Sequence, residues 1–134
     1  ELHPRGFAVV SVDVRGTGAS FGTRPVDLSP TEVDDFQQVL DWVLKQPWCN
    51  GRICTGGISY DGITGALMAA GAKGKVQALA IIFSPVDLYQ DLVLPGGIKC
   101  HGFLANYERF RYAAENNTVV RDVPMPASVA FLIK

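Results

Sequence analysis

Long apolar runs, clustered basic residues and paired cysteines are all missing from this sequence, and each absence excludes a class of function. No apolar stretch approaches the about 18 residues of a membrane-spanning helix. The opening Glu1-Leu2-His3-Pro4-Arg5 also lacks the apolar core of a signal peptide. No membrane partner is expected. Lysine and arginine are scattered and slightly outnumbered by acids, for a formal net charge of −1. Nucleic acid, whose phosphates require clustered cations, is therefore not expected as a partner. The three cysteines, Cys49, Cys54 and Cys100, are odd in number and form no CxxC pair, so neither a disulfide framework nor a metal site is indicated. No cofactor is expected. The chain also begins without methionine and almost directly on strand-like sequence, so it reads as a segment of something longer.

What is present is the material of an α/β core. Residues 7–14 are nearly continuous apolar and β-branched sequence, which predicts a strand buried on both faces of a parallel sheet. Residues 15–22 then form a glycine-rich loop. Gly16-x-Gly18 after a strand suggests a dinucleotide loop, but Phe21 occupies the third glycine position and no helix opens at once. Ser29-Pro30-Thr31-Glu32 is a helix start, with serine at the N-cap, proline at the first position and glutamate at the third to close a capping box. Val33, Phe36, Leu40 and Val43 give that helix one apolar stripe to about Gln46, and Pro47 stops it. Asn50-Gly51 turns the chain into a short strand at 52–55, and 78–83 is a second fully apolar strand. Strand, helix, strand, helix, strand in this order predicts right-handed βαβ crossovers and a parallel sheet.

Between the strand at 52–55 and the small-residue helix pattern of 62–72 stands Gly56-Gly57-Ile58-Ser59-Tyr60-Asp61-Gly62. A serine with glycine two places before it and three after suits a sharp strand-to-helix turn that throws Ser59 out of the sheet, the geometry of a nucleophile elbow. Gly57 is predicted to be small because the departing helix crosses the strand there, and Gly62 relieves the same crossing. A helix beginning at Tyr60 points its free N–H groups at the volume beside the Ser59 hydroxyl, so the Tyr60 N–H is a candidate oxyanion donor. Two other readings stand beside this one. The stretch could be an ordinary βα connection, or a phosphate cradle, although serine replaces the second glycine of a dinucleotide loop and no Gly-Lys-Ser/Thr follows.

Past residue 83 the character changes. Asp87 is the acid nearest the end of the last strand and is a candidate triad carboxylate, with a helix N-cap as the plainer role. His101 follows Pro95-Gly96-Gly97 and is a candidate base, with a solvated or capping role as the alternative. A helix is expected from about residue 102 to 116, carrying Phe103, Tyr107, Phe110 and Tyr112, and the apolar tail 127–133 needs a partner surface.

Val12-Asp13-Val14-Arg15-Gly16-Thr17-Gly18-Ala19-Ser20, Gln46-Pro47-Trp48-Cys49-Asn50-Gly51, Gly57-Ile58-Ser59-Tyr60-Asp61-Gly62 and Pro95-Gly96-Gly97, in this order and spacing, resemble the cocaine esterase and Xaa-Pro dipeptidyl-peptidase group of α/β-hydrolases. The resemblance covers about residues 6–110. It implies that residues 1–94 are part of a hydrolase core and 95–134 the start of a helical cap. It further implies that Ser59 is the nucleophile and the Tyr60 N–H one oxyanion donor. The second donor would lie upstream of Glu1, and the histidine and aspartate beyond Lys134. Asp13 and Arg15 match a recurrent loop motif that reads as structural. The implied substrate is a small-molecule or peptide acyl compound, either an ester or, as the alternative, an Xaa-Pro peptide. A non-catalytic α/β binding domain is the reading outside the enzyme class. Uncovered sheet edges would favour self-association.

Overall fold

The computed structural model of the protein describes residues 2–116. These contain helices α1 (Pro30–Leu44), α2 (Tyr60–Gly71) and α3 (His101–Glu115), and strands β1 (Ile53–Ile58) and β2 (Val76–Ile82). They divide into two compact units, with the boundary between Val86 and Asp87. The apolar tail at 127–133 lies outside the described residues.

In the first unit β1 and β2 pair in parallel, joined through α2. Cys54 stands opposite Ala78 and Ile58 opposite Ile82, while one extra residue of β2, Gln77, slips in between Ile53 and Cys54. The Gln77 side chain compensates by accepting the Ile53 N–H at 2.6 Å. Helix α2 packs on both strands, and α1 packs on α2. Close approach of α2 to β1 depends on an absent side chain: a Cβ on Gly65 would stand 3.0 Å from the Gly56 nitrogen; within the sheet, a Cβ on Gly56 would run into the Ala80 carbonyl of β2. The Thr55 hydroxyl donates to the Gly65 carbonyl at 2.9 Å across this contact.

Helix α1 begins as its sequence predicts. Ser29 is the N-cap and its Oγ accepts the Glu32 N–H, with Pro30 at the first position. Phe36 and Leu40 are buried from the expected stripe, with Val33 and Val43 half-buried beside them. The capping box closes differently from expectation. Glu32 Oε2 accepts the N–H of Leu28, the residue before the cap, and not that of Ser29. Leu28 has φ 59°, which turns its N–H toward the carboxylate as the chain enters the helix.

One strand expectation needs correction. Residues 7–14 form no strand among the described residues, and Val9, Val10 and Val12 are exposed. A strand exists through its ladder of hydrogen bonds, and apolar β-branched sequence supplies propensity without a neighbour to pair with. Strand β2 forms where the second apolar strand is expected, and its Leu79, Ile81 and Ile82 are exposed. Burial of both faces takes helices on both sides of a sheet, and among the described residues α2 covers one. The alternation of half-buried and exposed residues along β1 reports the same single layer.

The second unit opens with one turn of π-helix, Leu88–Val93, then a 3-10 turn, Pro95–Gly97, with Gly96 and Gly97 both at positive φ, and then α3. Phe103 and Tyr107, one helical turn apart on α3, stack with ring centroids 5.7 Å apart.

Candidate active site

β1 ends at Ile58 and α2 begins at Tyr60, so Ser59 alone makes the turn. Its backbone lies at φ 58°, ψ −121°. Positive φ is disfavoured for any residue with a Cβ, and this ψ lies well away from the left-handed helical well where such residues usually settle. A conformation of this kind costs on the order of 1–3 kcal/mol and persists only when the surroundings fix it.

The surroundings do fix it. The Ser59 N–H extends the β ladder by donating to the Ile82 carbonyl at 3.0 Å. Its own carbonyl accepts three donors: the Gly62 N–H at 3.0 Å, the Ile63 N–H at 3.1 Å and the Ser84 hydroxyl at 2.7 Å. Both sides of the residue are thus tied to β2, to the segment just past it and to the first turn of α2. Glycines make the room. A Cβ on Gly57 would stand 2.7 Å from the Asp61 carbonyl carbon, and one on Gly62 would meet the Ser84 hydroxyl and come within 2.9 Å of the Gly57 oxygen.

Chemically, the turn leaves Ser59 exposed at the C-terminal end of β1, where open parallel sheets bind their ligands. As the Gly62 and Ile63 N–H groups are taken, Tyr60 and Asp61 hold the helix N–H groups that have no intrahelical acceptor. The positive end of the α2 dipole lies at the same place.

The Tyr60 side chain is held as well. Its hydroxyl donates to Glu32 Oε1 at 2.6 Å and accepts from Arg24 Nη1 at 3.2 Å, and Arg24 also lies 3.2 Å from Asp27 Oδ1. Burial first, and then the hydrogen bond donated to the Glu32 carboxylate, push the pKa of the Tyr60 hydroxyl far above the ordinary phenol range. Sequence reasoning missed these partners of the turn. Glu32 was legible only as a capping residue, and Ser84 only as the end of a strand. A phenol in the first turn of a helix packed on a sheet was the available signal, because a buried tyrosine hydroxyl needs a partner.

The other sequence candidates have local roles. Asp87 is the N-cap of the π-helical turn: Oδ1 accepts the Tyr89 and Gln90 N–H groups at 2.8 and 3.0 Å, and Oδ2 the Gln90 side chain at 3.1 Å. Led by the Gln90 N–H, these donors hold its carboxyl below the usual carboxylate range. His101 is the first residue of α3, and its N–H donates to the Lys99 carbonyl at 2.9 Å. Arg15 does not pair with Asp13. It forms a bidentate pair with Asp35 of α1, both contacts 2.6 Å, while Asp13 caps its own loop by accepting the Ala19 N–H at 3.1 Å. Among the described residues no three His, Cys, Asp or Glu side chains converge as a metal site would require.

A parallel strand, a strained serine and a helix in immediate succession form the elbow geometry of α/β-hydrolases. The comparisons with known proteins are specific about which ones. Residues 1–125 match the model of the family described as X-Pro dipeptidyl-peptidase (S15 family), and the chain belongs to that family. A Mycobacterium bovis protein named a serine esterase is 40% identical over 114 residues, covering 85% of this chain and 18% of its own. The cocaine esterase of a Rhodococcus species is 37% identical over 87 residues, covering 63% of this chain and 14% of its own. A Bacillus anthracis protein named for Xaa-Pro dipeptidyl-peptidase activity is 30% identical over 113 residues, covering 70% and 19%. The chain therefore spans less than a fifth of the length of the curated relatives it matches.

Proposed function

We propose that the full-length protein is a serine hydrolase acting on an acyl ester or amide, with this chain carrying its nucleophile. The observation that carries the reading is the Ser59 backbone at φ 58°, ψ −121°, held by four hydrogen bonds at the end of a parallel strand. An ordinary βα connection gives a serine no reason to hold that conformation. In the proposed reaction the Ser59 oxygen attacks the acyl carbonyl and a histidine takes the hydroxyl proton. A carboxylate orients that histidine, and the Tyr60 N–H holds the tetrahedral oxyanion until the histidine passes the proton to the departing alcohol or amine; water, deprotonated by the same histidine, then releases the acyl group from Ser59. One such donor is worth roughly 3 kcal/mol of barrier, so the turn's geometry matters as much as the hydroxyl. The histidine and carboxylate are assigned to other parts of the protein, as the family resemblance implies; the Asp87 carboxylate already caps a helical turn.

An Xaa-Pro dipeptidyl-peptidase is the second reading within the class, favoured by relatives so named. It differs in requiring recognition of a free amine beside the scissile bond. The exposed apolar residues of β2 would be covered by further elements of a complete sheet, and the same surface would drive self-association of the segment alone. Fluorophosphonate labelling of the full-length protein tests the assignment. Covalent labelling that disappears in Ser59→Ala is expected; absence of labelling in the unsubstituted protein would leave a binding domain as the better account.

A further inference from the structure

Glu32 places a polar carboxyl side chain where desolvation is costly, and the chemistry proposed for Ser59 does not use it. None of its surface is exposed. Closing a helix start does not call for burial, since a capping box works equally well at the surface, where the carboxylate keeps its hydration. Only one of the two carboxylate oxygens serves the cap, through the Leu28 N–H at 3.1 Å. The other accepts the Tyr60 hydroxyl at 2.6 Å, and Arg24 closes on the same hydroxyl from another side at 3.2 Å. Tyr60 is the residue next to Ser59 and the first of α2. Its ring is thereby anchored at its far end to the start of α1, 28 positions away in sequence.

We propose that Glu32 is a positioning residue for the oxyanion site: by holding the Tyr60 hydroxyl it fixes the first turn of α2 and aims the Tyr60 N–H beside Ser59. The proposal rests on Ser59 being the nucleophile. It adds a second anchor to the turn, complementary to the one that β2 and Ser84 provide through the Ser59 backbone. An anchor at each end of a one-residue turn is what a donor needs if it is to hold its direction while charge develops on the substrate.

The test uses the full-length protein as Tyr60→Phe, Glu32→Gln and the two combined, each assayed well below its melting temperature on an activated short-chain ester and with a fluorophosphonate. Each single variant should lower kcat and the phosphonylation rate by about tenfold with KM within about twofold, because the lost interaction acts in the transition state. The double variant should fall no more than about threefold below the worse single, since both changes act on the same contact. Tyr60→Phe removes one hydroxyl and keeps the ring, so it carries the test even if Glu32→Gln folds poorly. Folded Tyr60→Phe protein with unchanged kcat and phosphonylation rate would overturn the proposal, and so would losses that multiply in the double variant. Labelling that persists in Ser59→Ala would be a different failure, removing the nucleophile assignment and the proposal with it.

Discussion

Two glycine-rich turns follow apolar segments in this chain, and they use glycine differently. In the loop of residues 13–22 the positive φ values fall on Gly16, Gly18 and Gly22, which adopt them without penalty. The loop then closes on itself: Ser20 donates to the Asp13 carbonyl, Thr17 to the Val14 carbonyl, and Asp13 accepts the Ala19 N–H. At 56–62 the glycines are spacers and the positive φ falls on Ser59. Backbone strain borne by glycine is only a way to turn, whereas strain borne by a side chain that several hydrogen bonds hold in place calls for a function. Leu28, Lys73 and Phe83 also have positive φ, so the angle alone does not mark a site. What separates Ser59 is the strand on one side, the helix on the other and three donors on its carbonyl.

The contrast is sharpest at Ser59 itself. Ser59→Ala in the full-length protein should lower turnover by at least about 10⁴-fold with little change in melting temperature, since it removes the group that forms the covalent intermediate. Turnover near the original would leave the two turns equivalent. Next in size is Gly57→Val, which forces a side chain into the Asp61 backbone. It should cost clearly more than the roughly 1 kcal/mol of an average substitution and lower kcat as well. Full activity with an unchanged melting curve would show that the crossing of strand and helix is not tight. In the other turn, Gly18→Ala meets the Asp13 carboxylate at a φ of 52°. About 1–2 kcal/mol of stability should be lost there, while the protein that remains folded keeps its kcat. A matching loss of kcat would give that loop a part in the chemistry.

Much of this was legible in the sequence because it is local. The Ser-Pro-Thr-Glu start of α1, the glycine spacing around Ser59 and the strand at β2 each depend on residues within a turn or two, and each fell within a few positions of its expected place. Residues 7–14 misled because a strand is a property of a pair, and one sequence segment reports only half of it. Glu32 and Ser84 were illegible for a related reason. Their partners, Tyr60 and the Ser59 carbonyl, lie 28 and 25 positions away, and no spacing rule connects a helix start or a strand end to a turn elsewhere. Arg15 pairs with Asp35 on α1, 20 positions away, a partner that its loop motif does not indicate.

The smallest effect is expected at Asp87, where the question is again whether a conspicuous residue is there for chemistry or for the chain. Its oxygens accept the Tyr89 and Gln90 N–H groups and the Gln90 side chain, the pattern of an N-cap. Asparagine caps nearly as well as aspartate, so Asp87→Asn should keep the turn and leave kcat within about twofold. A loss of about 10⁴-fold, the size associated with disabling a triad aspartate, would make Asp87 the acid after all. The variant should also differ in how stability responds to pH. The Gln90 N–H, followed by the other donors, lowers the folded-state pKa of Asp87, so its charge stabilises the folded protein above the unfolded carboxylate pKa of about 3.9. That contribution is lost as pH falls through the lowered folded value, because both states are then protonated. Melting curves of the two proteins should therefore differ slightly at neutral pH and converge as the solution is acidified below about pH 4. A difference that stays constant across that range would mean that the Asp87 charge contributes nothing and that the cap works through hydrogen-bond geometry alone.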